Sequence, residues 1–160
     1  MSPLSAAGEL VITRLFGAPR EKVFEAWIQP EHFRNWFGPR DATMPTCRLE
    51  ARPGGTIFFC HHFEAGNVVF KGEKDIWIQG RYLEVVRPER LVFTLHFADK
   101  DGQVVERPGF SRGESRIEVT FQEKGNQTEV VIRQMGLKAD QGESEGWRQG
   151  LDRLEEWLKA

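Results

Sequence analysis

The apolar positions of this chain change period several times, and each change marks an element. Over Glu9–Phe16 they alternate: Leu10, Ile12, Arg14 and Phe16 share one face of a strand, and Val11, Thr13 and Leu15 share the other. Both faces carry apolar residues, so the pattern leaves open which one is buried. From Ala18-Pro19 the spacing becomes helical. Pro19 stands where a helix needs no backbone donor, and Val23, Phe24, Trp27 and Ile28 form one stripe. Pro30 restarts the chain as a second short helix with Phe33, Trp36 and Phe37 on one side, ended by Gly38-Pro39.

The period then falls back to two. Thr46–Ala51, Thr56–Phe63, Lys74–Val86 and Leu91–Phe97 read as strands, separated by turns at Pro53-Gly54-Gly55 and at Arg87-Pro88-Glu89-Arg90. Asp99–Glu114 is polar and rich in glycine and proline, and reads as a long loop that could serve as a lid. Ser115–Glu123 and Thr128–Met135 form a hairpin about Lys124-Gly125-Asn126. The last segment, Glu143–Leu158, is helical, with Trp147, Leu151, Leu154 and Leu158 in one stripe.

Strands that are wet on one face must bury the other, and the closing helix offers the matching apolar face. The pattern predicts an α+β fold: a curved antiparallel sheet wrapped around a long C-terminal helix, with two short helices after the first strand. Residues 1–8 are small and unpatterned and are expected to be flexible, and 9–160 to be one domain.

Bulk properties narrow the function. The chain has 160 residues, 39% hydrophobic and 29% charged, and a formal charge of −2 without any block of like charge. That balance argues against nucleic-acid binding, which needs a basic face, and no stretch approaches the ~20-residue apolar run of a membrane span. The first residues show no basic start followed by an apolar run, so a cytoplasmic protein with Cys47 and Cys60 reduced is expected.

Several boxes resemble a known family. They are the opening Leu10–Trp27 segment, Pro30-Glu-His-Phe33, Trp36-Phe-Gly-Pro39, Arg52-Pro-Gly-Gly55, Gly80–Phe93, and the closing Glu145-Gly-Trp147 with Leu151 and Leu154. Their order and spacing, from about residue 9 to 159, are similar to domains homologous to the activator of the heat-shock-protein-90 ATPase. These lie within the superfamily of lipid-transfer-related and birch-pollen-allergen-like domains. The resemblance implies a helix-grip fold with an internal cavity. It carries over no catalytic residues and no cofactor, and chaperone activation is not expected on the name alone.

The chemistry read from the residues is sparse. His61 and His62 are adjacent in a strand and point to opposite faces, so they cannot chelate one ion. Cys60 and His62 do share a face, and Cys47 on a neighbouring strand could make a third ligand. No metal-ligand spacing supports that set, and no metal is expected. No nucleophile elbow and no phosphate-binding glycine loop is present.

Polar residues at apolar parity matter more. Gln134 follows Val130 and Ile132, Glu84 lies between Tyr82 and Val86, and Arg14 lies between Ile12 and Phe16. On an inward face each needs a partner, and Arg14 with Glu84 is one solution. The alternative is that these groups orient a ligand in an apolar pocket. The expected pocket lining is Trp36, Phe59, Tyr82, Glu84, Phe93, Phe121, Gln134, Trp147 and Leu151. Gly146 and Gly150 in the last helix fit either close packing on the sheet or room for a ligand.

The leading expectation is binding of a small hydrophobic or amphipathic molecule. An enzyme acting on an aromatic or polyketide-like compound, with Glu84, Tyr82 or a histidine as acid–base group, is the first alternative. The second is a protein-interaction module, as a homodimer or with a chaperone partner, presenting Trp36, Trp77 or Trp157.

Overall fold

The computed structural model describes residues 8–67, 70–107, 114–136 and 143–160. The expectation of a flexible start therefore falls almost wholly outside the described residues, as does the 108–113 part of the 99–114 loop.

The elements follow in the order β1 (Leu10–Phe16), α1 (Arg20–Ile28), α2 (Pro30–Phe33), β2 (Thr43–Leu49), β3 (Thr56–Asn67), β4 (Glu73–Val86), β5 (Arg90–Ala98), β6 (Ser115–Lys124), β7 (Gln127–Met135) and α3 (Glu143–Lys159). The strands form one sheet in the order β1-β7-β6-β5-β4-β3-β2, and every pair is antiparallel. From β2 to β7 each strand pairs with the next in sequence, and β1 closes against β7. With α3 packed on one face and two short helices after β1, this is the helix-grip fold.

The local reasons are visible in the residues. Pro19 is the N-cap of α1 and Pro30 the first residue of α2, where neither owes a helical donor. At Gly80 of β4 a Cβ would lie 1.6 Å from the Thr94 carbonyl oxygen of β5, so only glycine permits this approach.

Pairing with β7 resolves the ambiguous first strand. Ile12 lies opposite Ile132 and Phe16 opposite Thr128, while Leu15 on the other face is 47% exposed. The inner face meets α3 through Trp147, Leu151, Leu154 and Leu158, all buried. Around the C-terminal half of that helix the packing is dense, with Phe16, Phe24, Leu91, Val119, Phe121 and Val130 in a single apolar cluster. Lys22 of α1 donates from Nζ to the Leu158 carbonyl at 2.9 Å, placing a cation at the C-terminal end of α3.

Candidate functional site

The dense packing stops partway along α3. Between the N-terminal half of that helix and the inner face of the sheet lies a cavity of about 730 Å³, within the range of small-molecule sites. Its walls run obliquely across the sheet. They reach Gln134 on β7, Ser115 and Ile117 on β6, Leu95 and Phe97 on β5, Ile76 and Ile78 on β4, and His61 and Phe63 on β3. Trp147 and Gly146 of α3 and the 36–41 segment close it from above, and Arg40, Asp41, Glu145, Arg148 and Asp152 stand around its edge.

Both helix glycines have a role in this wall. A Cβ on Gly150 would sit 3.3 Å from the Gly38 nitrogen and 3.4 Å from the Trp36 oxygen, so this glycine serves close packing. A Cβ on Gly146 would meet nothing within 4 Å, and Gly146 faces the cavity. The two readings of the pair thus divide between its members.

Ion pairs and hydrogen bonds fasten the 36–41 segment to α3. Arg153 donates to the carbonyls of Asn35 (3.0 Å) and Pro39 (2.9 Å), Gln149 accepts from the Arg40 backbone N–H at 3.0 Å, and Arg40 pairs with Glu156. Arg148 is held by Glu145 and by Asp152, the latter at 3.1 Å. Arg14 reaches Asp152 at 2.6 Å. The expected Arg14–Glu84 pair is therefore not formed.

The polar groups inside are few and ordered. The Trp147 indole N–H donates to Gln134 Oε1 at 2.8 Å, Gln134 Nε2 donates to Ser115 Oγ at 3.3 Å, and Ser115 Oγ donates to the Leu95 carbonyl at 3.5 Å. His61 is buried, and its Nε2 lies 3.1 Å from the Phe37 carbonyl. A carbonyl oxygen only accepts, so Nε2 carries the proton and Nδ1 keeps a lone pair. Burial pushes the His61 pKa down to about 4, against the Phe37 carbonyl, which favours the charged form. Gly38, at a φ of +105°, makes room for this ring: a Cβ there would lie 2.4 Å from Nε2.

Of the residues the sequence pointed to, Trp36, Gln134 and Trp147 border the cavity. Trp36 stands behind its surface, fully enclosed, with its indole N–H donating to the Ala26 carbonyl at 2.9 Å. It cannot be the exposed partner residue considered above. Phe59, Tyr82, Phe93, Phe121 and Leu151 are buried in the apolar cluster instead. Tyr82 and Phe93 share a cross-strand row with Ile117 and Gln134, yet the cavity leaves that row as it crosses the twisted sheet.

Glu84 is misplaced for another reason. A β-bulge between Tyr82 and Glu84 inserts Leu83 and reverses the alternation, so Glu84 faces outward and meets Arg90 at 3.2 Å. His61, Phe63, Ile76, Ile78, Leu95, Phe97, Ser115 and Ile117 were missed. The one available signal was His61 between Phe59 and Phe63 at apolar parity.

The three-ligand metal idea fails on geometry. Cys47 pairs across from Phe59 on the inner face, whereas Cys60 and His62 are on the outer face. Among the described residues no group of three metal-binding side chains converges. Burial pushes the Cys47 thiol up to about 11, and burial together with Asp75 pushes Cys60 up to about 12, so both are thiols at neutral pH. No helix among the described residues is long and apolar enough to cross a membrane.

Comparison with known proteins places this geometry. Among solved structures, a Chromobacterium violaceum protein shares 23% identity over 95% of this chain and 97% of its own, with a TM-score of 0.79. A Staphylococcus epidermidis protein shares 26% identity over 97% of this chain and 92% of its own, with a TM-score of 0.77. The AHSA1 protein of Silicibacter pomeroyi shares 20% identity over 94% of this chain and 97% of its own, with a TM-score of 0.75. No curated protein matches the chain in sequence. The family model described as Activator of Hsp90 ATPase homolog 1-like protein matches residues 17–159, from the turn after β1 to the end of α3, and the chain belongs to that family.

Proposed function

We propose that this chain binds a small hydrophobic or amphipathic molecule in the cavity between the sheet and the N-terminal half of α3, with residues 9–160 acting as one cytoplasmic helix-grip unit. The observation that carries the reading is the contrast within one interior. One end is packed solid by Phe16, Phe24, Phe121 and Leu154, while the other keeps about 730 Å³ beside Phe63, Ile78, Phe97 and Trp147. An apolar cavity with a few fixed polar groups is the usual form of a small-molecule site. Native mass spectrometry of protein purified gently from cytosol tests it. A reproducible added mass, lost on denaturation, supports the proposal. Unliganded protein that also fails to take up any member of an apolar compound set defeats it.

An acid–base enzyme in the same cavity is a second reading, and a specific observation favours it: the ring of His61 lines the cavity with Nδ1 unprotonated, although burial leaves it a weaker base than a free imidazole. Glu84 faces solvent, and Tyr82 has its pKa raised by burial away from the cavity, so neither supports that role. A homodimer or chaperone partner has less support. Trp77 stacks on Phe58 with ring centroids 5.4 Å apart, and Trp157 lies 5.7 Å from His32, so both rings are engaged within the chain.

A further inference from the structure

The cavity has an unequal supply of donors and acceptors, and this bears on what it holds. His61 comes up from β3 into the cavity wall with its Nε2 proton committed to the Phe37 carbonyl. Its Nδ1 takes no hydrogen bond from any described residue. Nor is Nδ1 among the buried ring nitrogens sealed from solvent without a partner, a group that includes His32 Nδ1 and both nitrogens of His96. Nδ1 therefore keeps an accessible lone pair on a ring that lines the cavity, and the ring is held from its far side by the Phe37 carbonyl and by Gly38.

The donors are largely spent, and the N–H of His96, whose ring also borders the cavity, is sealed from it. The Trp147 N–H is taken by Gln134, and the Ser115 hydroxyl points at the Leu95 carbonyl. The cations at the edge are neutralised, Arg40 by Glu156 and Arg148 by Glu145 and Asp152. A carboxylate inside would face the Nδ1 lone pair and find no free cation among these groups, which burial makes expensive. A neutral molecule with one O–H or N–H group would satisfy Nδ1 and leave its apolar body against Phe63, Ile78 and Phe97.

Resting on the ligand-binding reading above, we infer that the cavity selects neutral, apolar molecules bearing a hydroxyl or comparable hydrogen-bond donor, and that His61 Nδ1 is the acceptor that selects them. Fatty-acid-like anions are discriminated against at the same atom. His61 is thus a specificity-determining residue for one chemical class, alcohols and phenols, over hydrocarbons and carboxylates of the same shape.

Three probes of one skeleton test this at pH 7: 2-naphthol, naphthalene and 2-naphthoate, titrated into the full chain by calorimetry. The expected order is 2-naphthol first, by about fivefold to tenfold over naphthalene, the equivalent of one net hydrogen bond, with 2-naphthoate weakest. His61→Phe should reduce the advantage of naphthol over naphthalene to within about twofold, since one such bond is then lost. His61→Gln keeps an acceptor and should retain part of the advantage, which guards against a variant that merely misfolds. In ¹⁵N spectra the His61 Nδ1 signal should move with 2-naphthol and stay in place with naphthalene. Equal binding of naphthol and naphthalene, or preference for the carboxylate, overturns the inference and leaves the cavity reading standing. Failure of all three to bind a folded chain overturns both.

Discussion

Replacing Gln134 by leucine removes the acceptor of the Trp147 indole N–H, and the structure sets the size of the effect. The two side chains are 9% and 8% exposed and meet at 2.8 Å, joining β7 to the N-terminal half of α3. A buried donor left without a partner costs about 1–3 kcal/mol. The cavity beside them admits water to part of the site, and leucine recovers some apolar burial, so the lower half of that range, about 1–2 kcal/mol, is expected. Trp147→Phe leaves Gln134 Oε1 without its donor. It also trims an aromatic surface that lies 5.5 Å from Phe37 and 6.0 Å from Trp27, centroid to centroid. About 2–3 kcal/mol is expected there. The double variant should lose about 1 kcal/mol less than the sum, because one bond has been counted twice. Urea unfolding followed by far-ultraviolet circular dichroism measures all four proteins, with an expected midpoint shift of about 0.5–1 M for Gln134→Leu at unchanged slope. Additivity within about 0.3 kcal/mol, or a Gln134→Leu variant as stable as the parent, would refute the reasoning.

Other outcomes follow from single positions. Gly146→Ala should raise stability by about 1 kcal/mol through helix propensity, as its Cβ meets nothing, whereas Gly150→Ala should gain nothing or lose, because the new methyl presses on backbone of residues 36 and 38; thermal melts of the pair decide this. His61 has a folded pKa of about 4, below the free value near 6.5, so its contribution is complete above pH 6.5. It is lost as pH falls toward 4, by up to about 3 kcal/mol, because the unfolded chain takes a proton that the folded one refuses. His61→Gln should flatten that slope in a pH series of unfolding curves, and an unchanged slope counts against a buried neutral ring. Native protein at pH 8 should resist alkylation at both cysteines, with pKa values near 11 and 12, while unfolded protein reacts fully. Rapid native labelling would contradict the burial described here. Glu84→Gln should leave binding of any cavity ligand unchanged within about twofold, since it lies on the outer face beside Arg90.

The fold was legible because each element announced its own period. The 143–158 stripe, the 115–135 hairpin and the paired prolines at 19 and 30 each fix one piece, and antiparallel neighbours do the rest. Where the reading of the site went wrong, the causes were longer in range than a window of residues. Alternation names the face of a residue, yet it does not say how far along the strand the cavity opens, and so Phe121 and Leu151 went to packed core while Phe97 and Ile78 went to the wall. One inserted residue at Leu83 reversed the parity of Glu84. Gln134 was legible because a single amide in the row Val130, Ile132, Gln134 has to be answered by something, and the answer is Trp147. His61 carried the same signal, and its neighbour His62 drew attention to metal chemistry instead.

Ligand binding in the cavity turns on where an apolar molecule goes. Nuclear Overhauser effects between naphthalene or 2-naphthol protons and methyl-labelled protein locate it directly. Cross-peaks are expected to the methyls of Ile76, Ile78, Leu95 and Ile117, which line the cavity, and none to Val119, Val130 or Leu154 at the packed end. Cross-peaks to that second set, or only to outer-face methyls such as those of Leu15 and Val86, would contradict it.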